Sequence, residues 1–340
     1  MARRPGVKEV AERAGVSVGT VSNVLNRPDW VADETRTRVE AAIAELNFVR
    51  NASARQLRAG RSQAVGAIVL DLGNPFYTEL ARGIEDRLLA DGVMLMVASS
   101  DEDPERESRW LQMFAEQGVR GILVTPSEAT KTQLQKVADL GIPAVLLDAR
   151  SSRYPSLGVD HVSGARQAVR HLLEQGHTRI AHLSGPAVLE QSRDRLQGAR
   201  EAVLEAGLDP DEVLLVRHLP GTRADNGQAG FLDVLADPRP PTAVFCINDI
   251  VALGVMRELR LRRMELPRDM AVVGYDDVAF ASELMTPLTS VRQPMHELGW
   301  TAADMLLAGP QSSDHRVFRP ELVVRESSAG PTSTNRASTS

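Results

Sequence analysis

The chain has 340 residues, 43% hydrophobic and 25% charged, a composition typical of a soluble globular protein of two or three domains. One cysteine excludes an internal disulfide, the N-terminus lacks the apolar region of a signal peptide, and no apolar run approaches the roughly 18 residues of a membrane span. Residues 1–62 hold 11 basic and 7 acidic side chains, a net charge of +4, whereas the whole chain carries −6. We therefore expect a cytoplasmic protein whose first part alone contacts a polyanion.

Two short helical patterns meet at a glycine within residues 7–25. Four apolar residues recur at the spacing of one helix face: Val7, Val10, Ala11 and Ala14. Gly15 can end that helix in a left-handed conformation, and Ser17 can cap a second helix with a small polar outer face. This arrangement is typical of a DNA-binding helix-turn-helix, with an ordinary helical hairpin as the alternative.

A third helix is predicted from Asp33 to Leu46 and completes a small bundle in residues 1–50. Residues 51–62 contain too little apolar surface for a helix that is stable alone. A flexible linker fits this segment, and so does a hinge helix that forms when two copies pair on DNA. In the second case Leu57 would enter the minor groove.

From residue 63 onwards, nearly continuous apolar runs alternate with helical patterns, which predicts parallel sheets covered on both faces. A first group of runs lies at 64–70, 93–98, 121–125 and 144–148. A second group lies at 156–160, 179–183, 213–216, 242–247 and 270–275. Two such units predict two lobes with a cleft between them, where ligands bind at the carboxyl ends of the strands.

Polar residues follow many of these strands. They are Asp71, Asn74, Asp148, Asp160, Asn248, Asp249, Asp276 and Asp277, with Phe76 and Tyr77 nearby and Arg193 after the run at 179–183. Carboxylates accept hydrogen bonds from hydroxyls and arginine donates them, so the set suits a small polyhydroxylated ligand. For each aspartate or asparagine the alternative is a turn or a helix cap, and for Asp277 that alternative is preferred.

No set of residues indicates catalysis. Paired acids could suggest a glycosidase, but nothing singles out an acid and a base, and the seven histidines lack metal-ligand spacing. The stretch HTRIAH at 177–182 is better explained as the start of a buried strand. We therefore predict no enzyme activity, no metal and no cofactor. The polar residues 327–340 are predicted to form a disordered tail without leucine heptads, which favours a dimer over a coiled-coil tetramer.

Residues 7–60 resemble the DNA-binding head and hinge of the LacI/GalR (lac repressor) family, through VKEVAERAGVSVGTVSNVLN, TRTRVEAAIAELNFVRN and ASARQL. The resemblance implies an operator-contacting set in the head, namely Ser17, Val18, Gly19, Thr20, Ser22, Asn23 and Asn26. It also implies contacts from the hinge residues Asn51, Ser53, Arg55 and Leu57, with the leucine inserted at the centre of a palindrome.

Three departures from the family pattern are visible. Gly6 and Ala32 stand where a capping serine or threonine is common, so both caps should be weaker. Asn23 stands where many members have arginine. Because asparagine pairs with adenine in the major groove, we expect base recognition by Asn23, and by Val18 against a thymine methyl group.

Residues 63–326 resemble the effector-binding core of the same family, through DLGNPFYTEL, CINDIVALG and VVGYDDVAFASELMTPLTSVRQP. The resemblance implies an α/β, periplasmic-binding-protein-like pair of lobes with three crossovers, in which the helix near 295–307 returns to the first lobe. It implies effector contacts at Asn74, Phe76, Asp148, Asp160, Arg193, Asn248, Asp276 and Gln293, and we add the adjacent Tyr77. His161 replaces a usual asparagine, which bears on the identity of the ligand.

The predicted function is that of a dimeric, nucleoid-associated transcriptional repressor that binds double-stranded operator DNA. Its effector is expected to be a sugar or polyol rather than a purine, and the direction of its effect is left open. A sugar-binding transport protein and a sugar-processing enzyme with the same core are the alternatives. The basic head and the lack of a signal peptide argue against the first, and the lack of a catalytic set argues against the second.

Overall fold

The computed structural model of the protein describes residues 5–48, 62–127 and 130–329. The chain forms two compact units, residues 1–61 and 62–340. The predicted hinge residues Asn51, Ser53, Arg55 and Leu57 lie outside the described residues.

The first unit contains the three predicted helices, α1 Val7–Ala14, α2 Val18–Asn26 and α3 Asp33–Glu45. Gly15 ends α1 with φ of 66°, and the Ser17 hydroxyl caps α2 by accepting a hydrogen bond from the Thr20 amide at 3.0 Å. Val10, Val21 and Val39 are fully buried where the helices meet. The helix-turn-helix is confirmed, and the expected loop after α2 contains one turn of 3₁₀ helix, Pro28–Trp30.

The two unusual cap positions lack side-chain caps, as predicted. At Gly6 the backbone amide donates to the Glu9 carboxylate at 2.9 Å, so half of a capping box is retained. Ala32 precedes α3, whose first turn carries Asp33 and Glu34 at the positive end of the helix dipole.

The second unit has two lobes, each built on a sheet that has six strands within the described residues. The first sheet has the order β11-β5-β4-β3-β1-β2, from strands β1 Ala64–Val69, β2 Met94–Ser99, β3 Ile122–Val124, β4 Ala144–Leu147, β5 Ser156–Val159 and β11 His315–Phe318. The second has the order β12-β10-β9-β8-β6-β7, from strands β6 Ile180–Ser184, β7 Leu214–His218, β8 Ala243–Cys246, β9 Ala271–Asp276, β10 Thr289–Arg292 and β12 Glu321–Val323. Neighbouring strands run parallel except β12, which is antiparallel to β10.

Helices cover both faces of each sheet. They are α4 Pro75–Leu89, α5 Pro104–Glu116, α6 Thr130–Asp139, α7 His161–Glu174, α8 Glu190–Glu205, α9 Pro210–Val213, α10 Ala224–Leu235, α11 Asp249–Leu261 and α12 Met295–Ala308. Each sheet has a buried apolar cluster on either side. Strands covered on both faces are apolar at most positions, and for this reason the sequence predicts β1, β6 and β9 correctly. In the described part of the chain no helix is long and apolar enough to cross a bilayer.

The chain passes between the lobes three times, after β5, β10 and β11, as the resemblance implied. The second crossover returns α12 to the first lobe, where it packs against α4. Glycine permits this close crossing: a Cβ on Gly299 would lie 2.0 Å from the Leu80 carbonyl oxygen, and one on Gly83 would lie 2.0 Å from that of His296.

The assignment of residues 156–160 to the second unit was wrong. Strand β5 pairs with β4 and β11 in the first sheet, because the chain crosses to the other lobe after this strand rather than before it. Strands β10, β11 and β12 were not predicted. They are short and rich in polar residues, so they lack the apolar run that marks a covered strand.

The predicted start of the disordered tail at Ser327 was also wrong. Ser327 is fully buried, accepts a hydrogen bond from the Thr289 amide at 2.8 Å and donates one to the Val272 carbonyl at 2.6 Å. The Ser328 hydroxyl bonds to His171 Nε2 at 2.8 Å. The folded core therefore continues through these serines, and residues 330–340 lie outside the described residues.

His182 in β6 confirms that HTRIAH leads into a buried strand. The ring is fully buried and stacks on Phe245 with centroids 4.8 Å apart, and Nδ1 lies 3.1 Å from the Phe245 carbonyl oxygen. Burial lowers the pKa of His182 to about 4, although the hydrogen bond to Phe245 acts in the opposite direction. The folded protein therefore holds this histidine neutral.

We predict that His182 makes the protein less stable as the pH falls from about 6.5 to about 4. The unfolded histidine binds a proton below about 6.5 while the folded one does not, so the free energy of unfolding is highest above this window. It declines within the window by up to about 3 kcal/mol. His182→Asn keeps a donor near the position of Nδ1 but cannot be protonated, so its loss of stability on acidification should be smaller.

Urea unfolding at about pH 7 and about pH 4.5 measures the difference. His218→Asn, on the exposed end of β7, is the control; His218 contributes little to the His182 shift compared with burial, so this variant should keep most of the wild-type pH dependence. Equal acid sensitivity of the wild type and His182→Asn would contradict the prediction.

Candidate functional site

A cavity lies between the two lobes at the carboxyl ends of their strands, with a volume of about 430 Å³ that includes its open mouth. Seven of the nine predicted effector-contacting residues line it: Asn74, Phe76, Tyr77, Asp148, Asn248, Asp276 and Gln293. Asn74 and Asp148 come from the first lobe, and Asn248 and Asp276 from the second. A molecule in this cavity therefore touches both lobes.

Asp276 is the most highly connected carboxylate of the cavity. It is buried at the end of β9 and accepts hydrogen bonds from Asn74 Nδ2 at 3.1 Å and Gln293 Nε2 at 2.7 Å. Burial raises the pKa of Asp276 to about 6, against the opposing effects of Arg195 and the two amides. Its φ of 105° is rare for a residue other than glycine, and such backbone strain clusters at functional sites.

Arg195 on α8 supplies the positive charge of the cavity wall. Its guanidinium lies 3.8 Å from Asp276 Oδ1, donates to the Ile247 carbonyl, and stacks 3.7 Å from the centroid of the Tyr275 ring. Only about 4% of the residue is exposed. Aspartate, carbonyl and aromatic face together hold the guanidinium in one orientation.

Asp148 and His161 join the lobes on another side of the cavity. His161 Nε2 lies 2.7 Å from Asp148 Oδ1, and Nδ1 lies 3.1 Å from the Tyr275 hydroxyl. Burial alone would raise the pKa of Asp148, but His161 and Arg195 lower it below its usual value. The Asp148 carboxylate is therefore charged and accepts a hydrogen bond from His161 Nε2. The residue that departs from the family pattern supports the cavity wall from behind.

Two predicted residues serve both as helix caps and as cavity wall. Asn74 Oδ1 accepts from the Phe76 amide at 3.0 Å at the start of α4, and Asn248 Oδ1 accepts from the Val251 amide at 2.8 Å at the start of α11. Capping and lining are compatible because each side chain has a separate amide nitrogen. That of Asn74 donates to Asp276, and that of Asn248 donates to the Thr222 carbonyl at 3.2 Å.

Two predicted residues do not line the cavity. Asp160 caps α7 by accepting from the Ser163 amide at 3.0 Å. Arg193 points outward and donates to the Ala187 and Val188 carbonyls at 2.8 Å. The arginine of the cavity is instead Arg195, two residues further along the helix.

The sequence contained a signal for Arg195 that the strand-end argument missed. The buried face of α8 includes Ala199 and Ala202, and positions three and four residues earlier on that face lead back to Arg195 and Ser192. Arg193 falls on the opposite face. The helical period, rather than distance from the preceding strand, separates the two arginines.

Three buried polar atoms on the lining residues have no hydrogen-bond partner within the described chain: Ser192 Oγ, Arg195 Nε and Gln293 Oε1. An unpaired buried polar atom costs about 1–3 kcal/mol. Such atoms are expected where a ligand completes the bonding. The orphaned set contains a hydroxyl, a donor and an acceptor, which suits a ligand with several hydroxyl groups.

The remaining strand-end aspartates have structural contacts. Asp249 is fully buried and accepts from Ser290 Oγ at 2.6 Å and the Val278 amide at 2.9 Å, which ties α11 to the end of the second sheet. Asp277 pairs with Arg292 at 2.8 Å and Arg325 at 2.6 Å. Neither residue lines the cavity.

The outer face of α2 presents two side chains of the predicted operator-contacting set without internal hydrogen bonds. Val18 is about 43% exposed, and the amide of Asn23 is exposed with no side-chain bond among the described residues. The other polar groups on this face are engaged within the helix. Ser17 bonds to Thr20, and Asn26 Nδ2 donates to the Ser22 carbonyl at 2.8 Å, while Gly19 is exposed.

Both parts of the chain match known protein families. Residues 6–51 match bacterial regulatory proteins of the lacI family, and residues 169–328 match the periplasmic binding protein-like domain. The HTH-type transcriptional repressor PurR of Vibrio cholerae is 34% identical over 328 residues, 94% of this chain and 97% of that protein. The ribose operon repressor of Escherichia coli K12 is 35% identical over 322 residues, 93% of this chain and 94% of that protein.

Solved structures of related regulators have the same fold. The lac repressor dimer bound to operator and the anti-inducer ONPF superimposes with a TM-score of 0.82 at 29% identity, covering 96% of this chain and all of that one. The chain therefore belongs to the LacI family of bacterial regulatory proteins, and it is a ligand-responsive, DNA-binding transcriptional repressor rather than an enzyme.

Proposed function

We propose that the protein acts as a homodimer in the cytoplasm, associated with the nucleoid, and binds a palindromic operator under the control of a sugar or polyol. One observation carries the proposal: Asn74 of the first lobe and Asp276 of the second are hydrogen bonded in the wall of one cavity. A ligand that competes for these groups changes the free energy of joining the lobes. Coupling of about 1–3 kcal/mol is enough to shift operator affinity.

The cavity chemistry favours a sugar or polyol over a purine. Its wall is rich in carboxylate and amide groups, which bond to hydroxyls. Its two aromatic rings, Phe76 and Tyr77, lie 4.9 Å apart at an angle of 89°, so they do not form a parallel slot for a flat base. The name of the ribose operon repressor among the relatives supports the same choice.

An apolar sheet edge supports the homodimer. Strand β2 lies at one edge of the first sheet within the described residues, and Met94 and Val97 on it are exposed, as is Leu89 at the end of α4. An uncovered apolar edge promotes association with another chain. A second copy related by a twofold axis would cover this edge and pair the two heads for a palindrome.

In the proposed complex, α2 of each head lies in a major groove and the hinge residues 51–62 lie in the minor groove between them. Leu57 would act as the apolar wedge, with Arg55 near the phosphates and with Asn51 and Ser53 beside them. Base recognition is assigned to Asn23 and Val18, because both side chains are exposed and the Asn23 amide makes no side-chain hydrogen bond within the part of the chain that the structure describes.

We predict that the purified protein binds palindromic DNA as a dimer with an affinity that falls steeply with salt. Phosphate contacts release counterions, so affinity should fall on the order of a hundredfold or more between about 50 and 200 mM salt. Fluorescence anisotropy with operators selected from random DNA, combined with light scattering, tests this. A monomer that binds no duplex at low salt would refute the proposed function.

We predict that Asn23→Ala relaxes base preference at one position of each half-site. Loss of a bidentate contact costs about 1–3 kcal/mol of discrimination, so preference for the best base should fall about fivefold or more. Binding to unrelated DNA should not change. Glu40→Ala, on the exposed side of α3, is the control. An unchanged selection profile for Asn23→Ala would exclude it as a base-reading residue.

We predict that Arg195→Met weakens effector binding by about tenfold or more, whereas Arg193→Met leaves it unchanged. Only the first arginine lines the cavity. Thermal-shift and calorimetric titrations with a panel of pentoses, hexoses and cellobiose provide the measurement.

Because Arg195 is buried beside Asp276, Ser192→Ala provides a second variant. Among the described residues the Ser192 hydroxyl has no hydrogen-bond partner, so its loss should reduce ligand affinity without lowering the melting temperature. Equal effects of the two arginine substitutions, or unchanged binding by Ser192→Ala, would contradict the proposal that Arg195 and Ser192 contact the ligand.

A further inference from the structure

The charged groups of the cavity are unbalanced. Four carboxylates line it, and one arginine: Asp71, Glu102, Asp148, Asp276 and Arg195. Three of the carboxylates have a basic partner within 4 Å. Asp71 lies 3.5 Å from Arg223, Asp148 lies 2.7 Å from His161, and Asp276 lies 3.8 Å from Arg195. Internal pairing therefore accounts for every carboxylate of the wall except Glu102.

Glu102 lies between β2 and α5 and is half-buried. Among the described residues it forms no ion pair, and its bond is with a neutral group, the Thr222 hydroxyl, which donates to Oε1 at 2.8 Å. Burial raises the pKa of Glu102 because its charge has lost water, while the Thr222 hydroxyl and the nearby Arg223 act in the opposite direction. A ligand cation would restore that lost interaction.

The uncharged groups of the wall include a buried oxygen that needs a hydrogen-bond donor from the ligand. Gln293 is about 2% exposed, and while its nitrogen donates to Asp276, its Oε1 has no partner. This oxygen can only accept a hydrogen bond. Within the described chain the buried Ser192 hydroxyl, which can donate or accept, is unpartnered as well, and Arg195 Nε is an unpaired donor. These atoms are independent of the acidic set and require a ligand that bonds to them.

We propose that the effector carries a positively charged amino group in addition to its hydroxyls, and that Glu102 is the counter-ion for that group. The inference rests on the proposed function of the cavity and specifies its ligand class as an amino sugar or an aminated polyol. An ammonium group offers three donors and no acceptor, which matches the unpaired carboxylate and amide oxygens. Sugar phosphates and sugar acids are excluded because they would bring a further negative charge beside four carboxylates.

Glu102 also forms a contact between the lobes that a ligand could alter. It belongs to the first lobe, whereas its partner Thr222 belongs to the second, between β7 and α10. An ammonium group beside the carboxylate competes with the Thr222 hydroxyl or joins it. Either event changes a contact between the lobes, so charge recognition and lobe position are linked at one residue.

Matched pairs of ligands test the inference on the full-length protein. The probes are D-glucosamine, D-galactosamine and D-glucamine, each compared with its neutral parent, namely D-glucose, D-galactose or D-sorbitol, and D-glucose 6-phosphate is the anionic probe. Binding is measured by calorimetry with wild type, Glu102→Gln and Glu105→Gln. Glu105 is exposed on the first turn of α5, so its substitution removes the same charge three residues away.

We expect at least one amine to bind the wild type about tenfold or more tightly than its neutral parent. Glu102→Gln should abolish that preference, so that an amine and its neutral parent bind this variant with affinities within about threefold of each other, while the amide still accepts from Thr222. Glu105→Gln should retain the preference. An equal affinity for amine and parent, a preference retained in Glu102→Gln, or binding by none of the amines would overturn the inference.

Failure of the inference is distinguishable from failure of the proposed function. Suppose that neutral sugars bind, that Ser192→Ala lowers their affinity, and that they alter operator affinity. The proposed effector cavity is then supported, whereas the proposed cationic ligand is not. If no sugar of either kind affects operator binding, the sugar-responsive function fails as well. Tight binding of D-glucose 6-phosphate would contradict the charge argument directly.

Discussion

A buried ion pair organises the cavity between the two lobes. Asp276 ends β9 of the second lobe and Arg195 extends from α8, with 3.8 Å between their charged atoms. Asn74 and Gln293 complete the bonding of the carboxylate, while the Ile247 carbonyl and the Tyr275 ring hold the guanidinium. Removing one member of such a pair leaves a buried charge uncompensated, at a cost of about 3–5 kcal/mol. The wall of the cavity is therefore rigid before a ligand arrives.

The contacts between the lobes at the cavity mouth are more exposed than those in the cavity wall. Near the cavity mouth the contacts between them include Asp71 with Arg223 and Arg150 with Glu190, and both arginines are more than half exposed. Exposed ion pairs contribute little to stability because water and salt screen them. The three crossover segments keep the lobes connected when such contacts break. A change in lobe position is thus inexpensive compared with unfolding either sheet, as a repressor controlled by a small molecule requires.

The head, residues 1–50, has a much smaller core than the two lobes. Its core is small, two of its three helices begin without a side-chain cap, and the exposed residues of α2 make few internal contacts. A bundle of this size buries little apolar surface for its chain length. Val18 and Asn23 stay exposed on α2, and we propose that they contact base edges. The head contributes recognition, whereas the stability of the protein resides mainly in the two sheets.

The sequence alone was sufficient for the local order of the fold, because covered strands and amphipathic helices have distinct periods. It located α1 to α3 and nine of the strands, and it placed Asn74, Asp148, Asn248 and Asp276 at strand ends that meet in space. It could not show that β5 belongs to the first sheet or that Ser327 is buried, since sheet membership and contacts distant in sequence depend on how the chain crosses between lobes.

The helical period distinguishes Arg195 from Arg193, but only the tertiary structure shows that Arg195 reaches Asp276 across the cavity wall. Arg193 and Arg195 stand two residues apart, but helix rotation turns one to solvent and the other onto Asp276. The tertiary structure also decided which acids have a basic partner. Strand ends can be counted in a sequence, but the pairing of Asp148 with His161, and the lack of such a pair for Glu102 among the described residues, arise only when two lobes bring distant side chains within a few ångströms.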